Sequence, residues 1–148
     1  MPQTYIGSTL RTGSGSLTDT VDGGFVVVSQ TAVLTTVSAG TAVAGTLTLP
    51  ADSQIIEIIA DKIVDWVVGA GTATELNVSV GSAAGGAQYM AITDLASTAR
   101  ATGPSTVATV AACDDIDNNT VVHLTVDPNG TVLTTQAQIR FTVVYAQK

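Results

Sequence analysis

Charge is what this chain has least of. Of its 148 residues only 11% are charged, five basic against twelve acidic, for a formal net charge of −7. Soluble domains usually carry about 25%. Arg11, Lys62, Arg100, Arg140 and Lys148 are scattered singly, so no cluster is available to neutralise phosphates, and direct binding to DNA or RNA is disfavoured. An anionic membrane surface repels the chain for the same reason. Cysteine is scarcer still: Cys113 stands alone, which excludes an intrachain disulfide framework. A lone thiol beside small apolar residues reads as structural. With one Cys and one His, His123, a zinc site cannot be assembled. Long apolar runs are missing as well. The longest uncharged stretch, Gly23 to Ala51, is broken repeatedly by Ser, Thr and Gln, too polar for a spanning helix. Residues Met1 to Gly7 have neither a basic n-region nor an apolar h-region. The expectation is therefore a soluble protein, made in a cytoplasm without a signal peptide.

What the chain does have is β-branched. It holds 24 threonines, 20 valines and 9 isoleucines, and 45% of it is apolar. That composition favours strands over a helical bundle and is rich enough to pack a core. The length suits one domain.

Residues 1–23 are dominated by Gly, Ser and Thr, with isolated Tyr5, Ile6, Leu10, Leu17 and Val21. Such a segment has too little apolar surface to offset its own ordering entropy. It reads either as a frayed tail or as an extended arm that orders on a neighbouring subunit, with residues 24–148 forming the domain proper. From Phe25 onward, short apolar runs alternate with turn signals, the pattern of an all-β sandwich or barrel. The expected strands are Phe25–Thr35, Ala42–Leu49, Ile55–Val68, Leu76–Val80, Gln88–Ile92, Val107–Ala111, Thr120–Val126, Thr131–Thr134 and Gln138–Ala146. Ser38–Gly40, Pro50–Asp52, Gly69–Gly71, Gly81–Gly86, Thr102–Pro104 and Asp114–Asn119 are expected between them. Alternation is clean where Leu76, Val78 and Val80 oppose Asn77 and Ser79, and where Ile139, Phe141 and Val143 oppose Arg140 and Thr142. Asp127-Pro128-Asn129-Gly130 predicts a tight turn and a hairpin joining Val126 to Thr131. Residues 55–68 fit a helical period as well as a strand, with Asp52 or Ser53 as a cap. The run Ile55-Ile56-Glu57-Ile58-Ile59 favours a long strand that bends or bulges near Asp61 and Lys62.

The charges are unevenly placed. Asp52, Glu57, Asp61, Lys62 and Asp65 fall within fourteen residues, whereas 24–51, 76–93 and 128–139 carry none. Exposed surface of a free monomer is normally well charged, so these stretches are expected to form faces covered by other copies or by another protein.

No chemistry-bearing motif emerges. His123 lies mid-strand with Val121 and Thr125, opposite Val122, Leu124 and Val126, and reads as a structural or interface residue. No Gly-x-Ser-x-Gly elbow occurs. In Asp114 to Asn119, Asp115, Asp117 and Asn119 mimic the opening of a calcium loop, but Thr120 stands where Gly is required and Val126 where a carboxylate is. A looser surface calcium site near Asp115 and Asp117 stays open. Gly81 to Gly86 lacks the Lys and the helix of a phosphate cradle and reads as a flexible loop over a sheet end. Trp66 reads as core or interface. No cofactor and no catalytic residue is expected, although a spatial pair of carboxylates cannot be seen in sequence.

The progression TLTLPADSQIIEIIADKIVDW, ELNVSVGSAAGGAQYMAITDL and TVVHLTVDPNGTVLTTQAQIRFTVVYAQ, spanning about residues 42–147, resembles head decoration (cement) proteins of tailed bacteriophages of the marine and cyanobacterial type. The resemblance implies a jelly-roll-like antiparallel β-sandwich. It further implies a homotrimer on the outer capsid surface, at three-fold or quasi-three-fold positions, where it ties major capsid protein subunits together. Such a role needs no active site. Tyr5, Ile6, Leu10 and Arg11 would then be capsid or inter-subunit contacts of the arm. The rival classes are a head-fibre or tail adhesin with a carbohydrate-binding face, and a hydrolase on a jelly-roll scaffold.

Overall fold

In the computed structural model, which describes residues 26–69, 75–104, 106, 112–113, 120–129 and 132–147, the alternation read in the sequence becomes two facing sheets. The described strands are β1 (Val26–Thr35), β2 (Val43–Leu49), β3 (Ser53–Val64), β4 (Val67–Val68), β5 (Asn77–Gly81), β6 (Met90–Asp94), β7 (Arg100–Gly103), β8 (Thr120–Asp127), β9 (Leu133–Thr135) and β10 (Gln138–Gln147). One sheet has the order β1-β10-β3-β7, the other β2-β8-β5-β6, and β4 pairs with β9 in a two-stranded annex. Every pairing is antiparallel. With β4 and β9 set aside, eight strands pass between two four-stranded sheets in jelly-roll order.

Alternation decides what goes inside. Ile139, Phe141 and Val143 of β10, Val122, Leu124 and Val126 of β8, and Leu76, Val78 and Val80 at β5 are all essentially inaccessible. They meet Leu49, Ile58, Met90 and Leu95 in one core, against which Ala32, Leu34, Leu47 and Trp66 pack. Trp66 is thus a core-edge residue.

Residues 55–64 and 67–68 are strand, as favoured over helix. The strand stops at Val64, and Val67–Val68 leaves for the annex. One bulge lies at Ile63, next to Lys62 as expected, and a second, not expected, at Ile56: Gln138 and Ile139 face Val64 and Lys62, while Val144 and Tyr145 face Glu57 and Ile55. Each bulge inserts one residue and flips the phase of the pleat. Ile55, Ile58 and Ala60 therefore face the core while Ile56 and Ile63 are exposed, and the three-residue step from 55 to 58 is what imitated a helical period.

The expected hairpin after β8 is not formed. Asp127 does close a turn, its carboxylate accepting from the Asn129 amide at 2.8 Å, with Asn129 at φ 53°. Yet Val126 is already flanked by Val43 of β2 and Val78 of β5. With both edges of β8 occupied, the following strand β9 pairs with β4 instead. Thr102 and Gly103, read as a turn, belong to β7, which pairs with β3 from Ile58–Gly103 to Asp61–Arg100. Asp52 and Ser53 do not cap a helix; Asp52 has φ 57° and the Ser53 hydroxyl donates to the Pro50 carbonyl at 2.7 Å, a tight β2–β3 turn. The expected strand Val107–Ala111 lies outside the described residues.

Candidate functional site: the outer faces of the two sheets

The outer face of the β2-β8-β5-β6 sheet includes three adjoining rows without Asp, Glu, Lys or Arg. Thr48 lies beside Val121, Thr46 beside His123 and Gly81, and Ala44 beside Thr125 and Ser79. The next row of the same face, in which Asn77 stands between Asp127 and Asp94, carries two carboxylates. The glycine-rich stretch after β5 is not the loose loop expected over a sheet end. It folds back and is pinned: the Gly85 amide donates to Thr125 Oγ1 at 2.9 Å, the Ser82 amide to Gln88 Oε1 at 3.1 Å, and the Gly86 amide to the Ala83 carbonyl at 2.9 Å. Thr125 and Ser79 are buried in consequence. Ala44, Thr46, Thr48 and Val121 stay exposed and His123 is half-buried, a neutral, hydroxyl-bearing surface.

The outer face of the other sheet divides in two. Its β1 side is neutral, with Val27 and Val33 at 61% and 50% exposure, and the Thr31 and Thr142 hydroxyls share a hydrogen bond at 3.3 Å. Its β7 side carries an ion cluster across three adjacent strands. Asp61 of β3 is flanked by Arg100 of β7 and Arg140 of β10, with Arg100 Nε at 2.5 Å from Oδ1 and Arg140 Nη2 at 2.9 Å from Oδ2. The Arg100 and Arg140 hydrogen bonds hold the Asp61 carboxyl below its ordinary value of 3.8. Lys62 reaches Asp65 at 2.9 Å and donates to the Ala96 carbonyl at 3.2 Å; Asp65, held by Lys62 and the Trp66 amide, is likewise lowered. All three described basic residues are thus engaged with carboxylates of their own chain. Sequence reasoning noted this charge concentration but not the cluster, because its members are 39 and 79 positions apart.

Cys113 is buried, its thiol donating towards the Tyr89 carbonyl at 3.8 Å, and desolvation pushes its pKa up to about 11. A thiol so disposed is inert packing, as read from the sequence. Burial raises the Tyr89 pKa as well. Among the described residues no three of His, Cys, Asp and Glu come together in a way that could hold a metal ion. Asp115 and Asp117 fall outside the described residues, as do Tyr5, Ile6, Leu10 and Arg11.

The arrangement defines a class: an antiparallel jelly-roll module whose outer faces carry uncharged patches beside an ion cluster on one sheet and two carboxylates on the other. Comparison with solved structures places the fold among chains of bacteriophage capsids. A chain in the capsid asymmetric unit of cyanophage Pam1 superposes with a TM-score of 0.63 at 22% identity, covering 100% of both chains. A chain in the capsid of Ralstonia phage GP4 gives 0.53 at 17% identity, covering 85% of this chain and 86% of that one. No family model and no curated protein matches the sequence.

Proposed function

We propose that the chain is a structural protein of a tailed-bacteriophage head, and specifically a decoration, or cement, subunit on the outer surface of the shell formed by the major capsid protein. The observation that carries this reading is the end-to-end likeness to a cyanophage capsid chain, in which neither chain has a segment left over. The uncharged parts of the outer faces support it, since surfaces poor in charge are suited to burial against protein neighbours. In this reading the protein is not an enzyme and uses no cofactor. It acts as a homotrimer whose subunits each hold the capsid weakly, and the joint attachment raises net affinity steeply. Residues 1–23 form the arm, and Tyr5, Ile6, Leu10 and Arg11 make its contacts with the capsid or with adjacent subunits.

The test is addition of purified protein to heads lacking it. The expected result is saturable binding to the outside of the shell and a higher temperature of DNA release. Heads purified from infected cells that contain no copy of this chain would overturn the reading, and binding to a glycan array in place of heads would transfer it to the adhesin class.

A further inference from the structure

Four strands end the two sheets, and three of them are guarded or plain. Edge strand β7 is four residues long, begins with Arg100 and is followed by Pro104; edge strand β6 is five residues long and ends in Asp94; edge strand β2 exposes only Ala44, Thr46 and Thr48. Edge strand β1 differs. It runs for ten residues, VVVSQTAVLT, without charge, Pro or Gly. Its register with β10 is unbroken from Val26–Gln147 to Thr35–Gln138. Among the described residues it has no second strand partner. An edge of this length without charge, proline or bulge is a template for pairing with another strand.

The occupant that fits is a second copy of the chain. Copies carrying a net charge of −7 repel one another at most approaches, but residues 24–51, which supply both β1 and β2, hold no charge at all. The strand is also complementary to itself. In an antiparallel pair centred on Gln30, Val27 of one copy stands opposite Val33 of the other, and Ser29 opposite Thr31. These four residues share the exposed outer face, since Ala32 and Leu34 point to the core. The Gln30 side chain is held within its own sandwich by Tyr145 Oη and the Thr48 carbonyl, both at 3.0 Å, and leaves the contact to its neighbours. We infer that β1 is a self-recognition edge: two copies join β1 to β1 about a two-fold axis at Gln30, merging two four-stranded sheets into one of eight strands. This contact goes beyond the head-protein reading and is separate from a three-fold assembly; with trimers it would link one trimer to the next.

The register makes a specific test. Residues 27 and 33 lie about 20 Å apart within one strand and cannot interact within a chain, but the pair brings them face to face twice. In light scattering at low salt, the wild type is expected to contain an even number of chains. Val27→Lys with Val33→Lys places like charges opposite each other and should weaken the association on the order of tenfold or more, halving the mass. Val27→Lys with Val33→Glu should restore it. Val27→Cys with Val33→Cys should give an intermolecular disulfide dimer under oxidation, Cys113 being buried. A wild-type mass of one or three chains, an unchanged mass for the double-lysine variant, or failure of the Lys/Glu variant to recover would each overturn the proposal. A mass of three would do so while leaving the trimeric cement reading intact. An even mass in a protein absent from heads would do the reverse.

Discussion

At the scale of single residues, the scarcity of charge gives the few charged groups clear assignments. Asp61 is the centre of the best-defined set, with one arginine on each side across neighbouring strands. Because its folded pKa lies below 3.8 through the Arg100 and Arg140 hydrogen bonds, the unfolded chain takes up a proton there first as the pH falls. The stabilisation is therefore complete above the ordinary carboxylate range, begins to fade near pH 3.8 and is lost as the pH drops through the lower folded value. Asp61→Asn leaves two guanidinium groups facing each other. The arginines are largely in solvent, so screening limits the cost to about 1 kcal/mol. Thermal unfolding of both forms across pH should show a constant gap at neutral pH that closes below pH 3.8. A gap unchanged in acid would remove Asp61 from the role given to it.

At the scale of elements, pairing partners were less legible than strands. Strand positions β1, β2, β5, β8 and β10 could be read from alternation because each has one face in a common core, and a period of two is visible in sequence. β7 could not, since four residues ending in Gly103 before Pro104 look like a turn and become a strand only by lying against β3. The hairpin after β8 failed for a related reason. Asp127 to Asn129 do turn the chain, but occupancy of both edges of Val126 is a fact of topology that no local signal carries. The uncharged patches on the outer faces follow from the charge-free stretches, whereas the pinned loop after β5 was not anticipated. That loop can be tested through Gly81, where an added Cβ would lie 2.5 Å from the backbone carbon of Gly86. Backbone cannot swing aside as a side-chain tip can. Gly81→Ala should lift the loop off Thr125 at a cost of about 1–3 kcal/mol. Hydrogen exchange at the Gly85 amide, which is bonded to Thr125 Oγ1, should rise sharply while core amides on β10 keep their protection. Unaltered exchange at Gly85 would mean the loop is held by other contacts.

At the scale of the whole molecule, the two ends of the sandwich are unlike. The annex of β4 and β9 closes one end, where the Leu133 amide donates to the Ser38 carbonyl at 2.9 Å and the Gly69 amide to the Val132 carbonyl at 2.9 Å. At the other end the chain enters β1 at Val26 beside Gln147, its neighbour in the ladder, and next to Ser53 one strand further on. Val26 thus lies at the end of the sandwich that also carries the β2–β3 turn. Every described core residue lies between Leu49 and Ala146, and the described hydrophobics packed on the core begin at Ala32, so residues 32–146 by themselves supply a continuous apolar interior. Deleting residues 1–23 should therefore leave the unfolding midpoint close to that of the full chain. If the arm supplies one of several joint attachments, the same deletion should weaken binding to heads by about 100-fold or more, the scale on which linked contacts exceed separate ones. Substituting Tyr5, Ile6, Leu10 and Arg11 together by Ser in the full-length chain separates contact from length: it should reproduce the loss while keeping every residue of the arm's reach. Affinity measured by co-sedimentation with heads decides the matter. Full affinity in both variants would assign attachment to the uncharged patches of the sheet faces alone.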